Sequence, residues 1–224
     1  MSKLLAFTRS YHVVDNIYTF VFETGGLSWL PGQYQTVVLR QAGEGGAGKR
    51  FFTIASAPSE GEIHISTRVT DSAFKQALKR LVAGDSIEVS GLEGDFLWAD
   101  DAVEPVMLVA AGIGVTPYRS MLLERQAQGL PLAATLLYFT RDDQIPFKAE
   151  FDALAAKHPE LTIEYIIGQP VTAESILARH AAQPQSPVYV SGPEAMVDSL
   201  GDQLTAAGVT IKQDWFPGYT EASF

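Results

Sequence analysis

The chain has 224 residues, of which 16 are basic and 26 acidic, a formal charge of −10. That balance excludes the concentrated basic face a nucleic-acid partner requires. Apolar residues make up 46% and charged residues 19%, a globular composition able to bury a sizeable core.

Cysteine is absent, so the chain holds no disulfide, thiolate zinc site, cysteine-ligated iron–sulfur cluster or catalytic thiol. Redox chemistry here would need a bound organic cofactor. Residues 1–10 lack the apolar run of a signal peptide, and no stretch nears the roughly 20 apolar residues of a membrane span. A soluble, cytoplasmic protein is the expectation.

The first hundred residues read as strands and turns. Runs at 17–23, 34–40, 51–55 and 63–69 are rich in β-branched and aromatic residues and are punctuated by signals such as Pro31-Gly32. Their spacing predicts an antiparallel barrel or sandwich. Residues 41–49 are Gly-rich and predict a loop. Residues 72–81 place Phe74, Ala77, Leu78 and Leu81 at helical spacing, with Thr70, Asp71 and Ser72 as caps.

From about Glu104 the rhythm changes. Strand-like runs at 106–111, 134–140, 161–167, 188–191 and 209–212 alternate with helical stretches at 118–128, 147–158, 173–182 and 194–207. Alternation of this kind predicts βαβ crossovers and a parallel sheet. The expected boundary falls at 101–103, giving domains 1–101 and 102–224. Net charge is −3 in the first and −7 in the second. Lys75, Lys79 and Arg80 cluster on the first domain's helix, as a solvated face or a small docking surface for an acidic partner.

Three constellations carry chemistry. Val106-Met107-Leu108-Val109-Ala110-Ala111-Gly112-Ile113-Gly114-Val115-Thr116-Pro117 runs an apolar strand into two glycines, a hydroxyl and a helix-starting proline. It reads either as a pyrophosphate turn at a helix N-terminus or as a plain strand–helix turn. Arg50-Phe51-Phe52-Thr53-Ile54-Ala55-Ser56 sets a cation, aromatics and a hydroxyl along one strand, alternation placing Arg50, Phe52 and Ile54 on one face, and reads either as a seat for a flat cofactor with a phosphate tail or as an ordinary barrel strand with a snorkelling arginine. Ser66-Thr67-Arg68 leads to Ser72-Ala73-Phe74-Lys75, a helix start that either takes an anion or is simply capped by Asp71 or Ser72. The histidines at 12, 64, 158 and 180 show no ligand spacing, and no metal site is expected.

In this order and spacing the pieces resemble the ferredoxin–NADP reductase family along nearly the whole chain. Pro31-Gly32-Gln33-Tyr34 is similar to the family's opening of its barrel, and residues 50–56 resemble its Arg-x-Tyr-Ser flavin motif. Gly112 to Pro117 resembles its nicotinamide-nucleotide motif. Tyr189-Val190-Ser191-Gly192-Pro193-Glu194-Ala195-Met196 resembles its Cys-Gly-Pro-x-x-Met stretch, and Phe216-Pro217-Gly218-Tyr219 its terminal Phe-x-Gly-Tyr.

The resemblance implies an N-terminal FAD-binding β-barrel and a C-terminal Rossmann-like α/β domain for NAD(P), hydride passing from nicotinamide to flavin across their cleft. By motif position Arg50 holds the pyrophosphate, Phe52 beside Phe51 stacks on the isoalloxazine and Thr53 donates toward flavin N5. Ser66, Thr67, Arg68 and the helix opening at Ser72, Ala73, Phe74 and Lys75 contact ribityl and phosphates. Gly112, Gly114, Thr116, Pro117, Ser191, Gly192, Pro193 and Met196 line the nicotinamide nucleotide, with Thr53 and Ser191 the catalytic positions.

Three positions depart from the pattern: Phe52 lacks a tyrosine hydroxyl, Lys75 replaces a serine, and Ser191 replaces a cysteine. The chain also continues past Tyr219 to Phe224, which would shield the flavin face or fray. Thr140 and Arg141, with Lys148, form a candidate clamp for a 2′-phosphate, opposed by Asp142 and Asp143, so NADP(H) is expected with NAD(H) as the alternative. The expected activity is a flavin-dependent NAD(P)H oxidoreductase passing electrons to a separate acceptor such as ferredoxin or flavodoxin. The alternatives are the reductase subunit of a multicomponent oxygenase and a non-catalytic flavin- or nucleotide-binding module. FMN in place of FAD stays open.

Overall fold

The computed structural model describes residues 2–39, 48–101 and 104–215. Six antiparallel strands come first: β1 (Lys3–Val14), β2 (Ile17–Phe22), β3 (Tyr34–Leu39), β4 (Gly48–Thr53), β5 (Ile63–Arg68) and β6 (Ser86–Glu93). They lie in the order β4-β3-β6-β1-β2-β5. Strand β1 pairs with β6 through Lys3, Leu4, Leu5 and Ala6, then with β2, with a register shift between Phe7 and Arg9. An irregularity of this kind bends a strand so that it can serve two neighbours. Inside lies an apolar core that includes Leu5, Phe20, Phe22, Val37, Phe52, Ile54, Ile65 and Phe74.

Helix α1 (Ala73–Lys79) follows β5 and is shorter than the expected 72–81. Gly48 and Lys49, expected in the glycine-rich loop, instead open β4, where Leu39 and Val38 pair with them. The rest of that loop, residues 102 and 103 at the expected boundary, and the Phe216–Tyr219 motif with Phe224 lie outside the described residues.

The tight turn before β3 depends on glycine. Gly32 has φ +95°, and a Cβ there would stand 1.9 Å from the Phe96 carbonyl oxygen and 2.6 Å from Met121 Cε. Gly32→Ala is therefore expected to cost more than the roughly 1 kcal/mol of a left-handed backbone alone, because a backbone atom must also move. Thermal melts of the two proteins measure it.

The second sheet is parallel. Its strands are β7 (Val106–Ala111), β8 (Ala134–Thr140), β9 (Leu161–Ile167), β10 (Val188–Ser191) and β11 (Ile211–Asp214), in the order β11-β10-β7-β8-β9. Between them run α2 (Thr116–Gln128), α3 (Lys148–Lys157), α4 (Ala173–His180) and α5 (Glu194–Ala206). Every residue of β7 is buried, as a central strand covered on both faces must be. Met107 and Val109 share a core with Val190, Val197, Leu200 and Ile176.

Two compact units result. One holds the barrel to Trp98 together with Thr116–Ala127, so most of α2 belongs with the barrel; the other runs Ala99–Val115 and resumes at Gln128. Among the described residues no helix is long and apolar enough to cross a membrane, and no group of three or more His, Asp and Glu could hold a metal ion.

Candidate functional site

In the barrel, three segments distant in sequence converge. Phe52 on β4 is 4% exposed, and its ring stacks on Phe74 of α1 at a centroid distance of 5.9 Å and an angle of 28°. Arg50, two residues earlier and exposed, places its guanidinium 5.7 Å from the Phe74 centroid and donates from Nη1 to the Lys49 carbonyl at 2.8 Å. Lys75 of α1 lies with Nζ 4.5 Å from the Phe52 centroid and donates to Thr67 Oγ1 on β5. Two cations thus flank a stacked aromatic pair.

Phe51 points to the other side of β4, half-buried, edge-on to Tyr34 at 5.9 Å with Lys49 Nζ 5.4 Å over its ring. Thr53 is buried, and Ser66 Oγ hydrogen-bonds with Thr19 Oγ1 at 2.8 Å. Arg68 is drawn elsewhere, its Nη1 donating to Asp15 Oδ2 at 2.6 Å and to Asn16. Ser72 caps α1, its Oγ accepting from the Lys75 N–H at 3.4 Å, so one helix-start donor is already used.

Phe52 is a member of the barrel core, so the ring expected to carry a flavin also supports the fold. The donor set suits FAD: cations for phosphates, buried hydroxyls at Thr53, Ser66 and Thr67, and the half-buried Phe51 ring on the same strand.

A neighbouring cluster has no counterpart in the sequence reading. Arg119 of α2 is 4% exposed, donates from Nη1 to the Ala55 carbonyl at 2.8 Å, and meets both Glu60 carboxylate oxygens at 2.8 and 3.0 Å. Ser120 Oγ and Trp29 Nε1 both donate to the Ser56 carbonyl, at 2.6 and 3.1 Å. Glu124 accepts from the Ser59 N–H at 2.8 Å. The loop that follows β4 is thereby bolted to α2.

Burial pushes the Glu60 carboxyl up, but hydrogen bonds and charge from Arg119, with the Ala57 N–H, outweigh it and hold the carboxyl below its usual range. Its stabilising contribution is present above the unfolded carboxyl pKa and is lost as pH falls through the lower folded value. The wild type is expected to lose stability on that acid limb, and Glu60→Gln to lose less, in melts taken between neutral and acid pH.

In the parallel unit, β7 passes into a 3-10 turn at Gly112–Val115, with Gly112 at φ +54°. The turn packs on the end of β10, whose Ser191 is in register with Ala110. A Cβ on Gly114 would lie 2.5 Å from the Ser191 carbonyl oxygen and 2.8 Å from Gly192 Cα; one on Gly192 would lie 2.7 Å from Met196 Cε and 3.1 Å from Ala111 Cβ. The two glycine motifs therefore meet backbone to backbone. Strands run outward from β7 through β8 and β9 on one side, and through β10 and β11 on the other. Such a reversal is where open parallel sheets bind ligands, outside the carboxyl ends of the strands.

Ser191 Oγ donates to Asp214 Oδ2 at 3.2 Å, both residues being buried. Asp214 was not singled out from sequence, where a lone acid ending a short strand carries no signal. Pro193 caps α5, while Thr116 and Pro117, buried, open α2. Thr140 Oγ1 donates to the Asp142 carbonyl at 2.8 Å, and Arg141 is exposed. Lys148 is engaged by Asp152 at 2.6 Å and lies 4.5 Å over the Tyr165 ring, which weakens its part in any phosphate clamp.

Residues 108–201 match the oxidoreductase NAD-binding domain family. The toluate 1,2-dioxygenase electron transfer component of Pseudomonas putida is 25% identical over 196 residues, covering 82% of this chain and 56% of that protein. The FAD/NAD-binding domain of the Vibrio cholerae nitric oxide dioxygenase shares the fold, with TM-score 0.78, 22% identity, and coverage of 95% of this chain and 98% of that one. The ferredoxin–NADP+ reductase of Plasmodium falciparum does so too, with TM-score 0.76, 15% identity and coverage of 95% of each chain. The NAD-binding match thus falls on the parallel unit, and the fold of the whole chain is the one these reductases share. It spans about half the length of the curated relatives it matches, 56% and 50% for the first two.

Proposed function

We propose that this protein is a flavin-dependent NAD(P)H oxidoreductase that passes electrons to a separate acceptor. The observation that carries the reading is the convergence of Arg50, Phe52, Thr67, Phe74 and Lys75 from three segments onto one stacked aromatic pair. Arg50 and Lys75 hold the FAD phosphates; Phe52 supports the ring system, and Thr53 donates toward its reactive nitrogen. Residues 1–101 supply the flavin half and 102–224 the nucleotide half.

Gly112, with its left-handed backbone, and the close packing of Gly114 on Ser191–Gly192 shape the loops at the carboxyl ends of β7 and β10, where a nicotinamide nucleotide would bind. Ser191, held by Asp214, orients the nicotinamide edge. Arg141 faces the 2′-phosphate and favours NADPH, with NADH the slower donor. Bound FAD supplies the conversion of a two-electron hydride into single electrons.

The acceptor is a separate protein such as ferredoxin or flavodoxin. A reductase component serving a separate oxygenase is the second reading, favoured by the likeness to the Pseudomonas putida electron transfer component. The test is turnover with the one-electron acceptor ferricyanide. FAD-loaded protein is expected to oxidise NADPH faster than NADH, and loss of the activity on removing FAD confirms the dependence. No oxidation of either nucleotide overturns the reading.

A further inference from the structure

Lys75 is 7% exposed, far deeper than lysines ordinarily lie. From β4 it is faced by Arg50, whose guanidinium lies over the Phe74 ring stacked on Phe52. From β5 it meets the Thr67 hydroxyl, which does not titrate in this range. Its own helix carries Lys79, with Nζ 4.9 Å over the Tyr18 ring of β2, and Arg80 follows; the turn before the helix carries the exposed Asp71. Among the described residues, Arg50 shares the aromatic pair with Lys75, and it is another cation. Burial and a like charge both disfavour a second positive charge. Burial first, and then Arg50, hold the Lys75 amine down to about 7 from its ordinary 10.5. A phosphate placed against both cations opposes each effect.

We propose that FAD binding to the barrel is proton-linked through Lys75, which takes up a proton as the cofactor's phosphates arrive between it and Arg50. The inference rests on the FAD reading above. Its sign is fixed: the charged lysine binds phosphate better, so affinity is greatest at low pH and falls as pH rises above 7. In the cofactor-free protein the sign reverses. A folded-state amine below its unfolded value means the unfolded chain binds more protons, so stability rises with pH between about 7 and 10.5.

Titration of the cofactor-free protein with FAD between pH 6 and 9, by fluorescence and by calorimetry in two buffers of different ionisation enthalpy, tests this. Wild type is expected to show a flat Kd below pH 7, a rise of about tenfold per unit above it, and net proton uptake. Lys75→Arg should bind tightly with a flat profile, and Lys75→Met weakly with a flat profile. A flat wild-type profile, or the same slope in Lys75→Met, overturns the proposal. Failure of wild type to bind FAD at any pH overturns it together with the reading beneath it. Melts of the cofactor-free protein from pH 7 to 9 separate the two failures: stability rising in wild type but not in Lys75→Met shows that the lysine titrates as argued.

Discussion

Gly114→Ala is expected to fold less stably and to lose nicotinamide-nucleotide affinity at least tenfold. The new Cβ would stand 2.5 Å from the Ser191 carbonyl oxygen and 2.8 Å from Gly192 Cα, both backbone atoms that no rotamer change relieves. Overpacking of this kind costs about 1–3 kcal/mol. Whatever shift relieves it moves Ser191–Pro193 away from the turn at Gly112–Val115, the pair of loops assigned to the nucleotide. Gly91→Ala is the control, because its Cβ meets open space, and it should stay within about 0.5 kcal/mol of wild type. Bound flavin should be retained in both variants, since the barrel cluster is untouched. Thermal melts and nucleotide titrations separate the two effects.

Arg119→Met should destabilise by about 2–4 kcal/mol, between the cost of a lost charged hydrogen bond and that of a broken buried pair. The guanidinium is 4% exposed and holds both Glu60 oxygens and the Ala55 carbonyl, so its removal leaves a half-buried carboxylate without its cation. For a chain of this size the melting temperature should drop by roughly 5–15 °C. Adding Glu60→Gln to Arg119→Met should recover part of the loss, because the stranded charge goes with it. A double-mutant cycle that is additive would show that the two side chains act independently.

How much of this was legible follows from what each segment buries. Strand β7 and its turn stood out because all six strand residues are buried and apolar and the glycines follow at once. Strand β1 did not, since of Lys3–Val14 only Leu5 and Phe7 are buried and no clean alternation survives its switch between partners. Strand β6 was missed as well, because Ile87 and Val89 alone face the core before Gly91 interrupts the pattern.

The last strand begins at Ile211 rather than 209. Gly208 at φ +83° and the Val209 N–H, donating to the Leu204 carbonyl, still belong to the end of α5. That is the glycine-and-apolar-residue ending common to helices.

The barrel cluster was legible by motif position, down to Lys75 in place of serine. The depth at which Lys75 lies was not, because charged helix residues ordinarily face water. For the same reason Arg119 and Glu124 gave no warning that α2 turns polar groups toward the loop following β4. Ser191 was found through its motif, whereas Asp214 became visible only once β11 was paired beside β10.

Anaerobic mixing of the FAD-loaded protein with NADPH, and separately with NADH, tests the central claim most directly. Rapid bleaching of the flavin's visible absorption is predicted, faster with NADPH if Arg141 reads the 2′-phosphate. Flavin that stays oxidised with both nucleotides would contradict the account and leave a protein that binds these molecules without moving electrons between them.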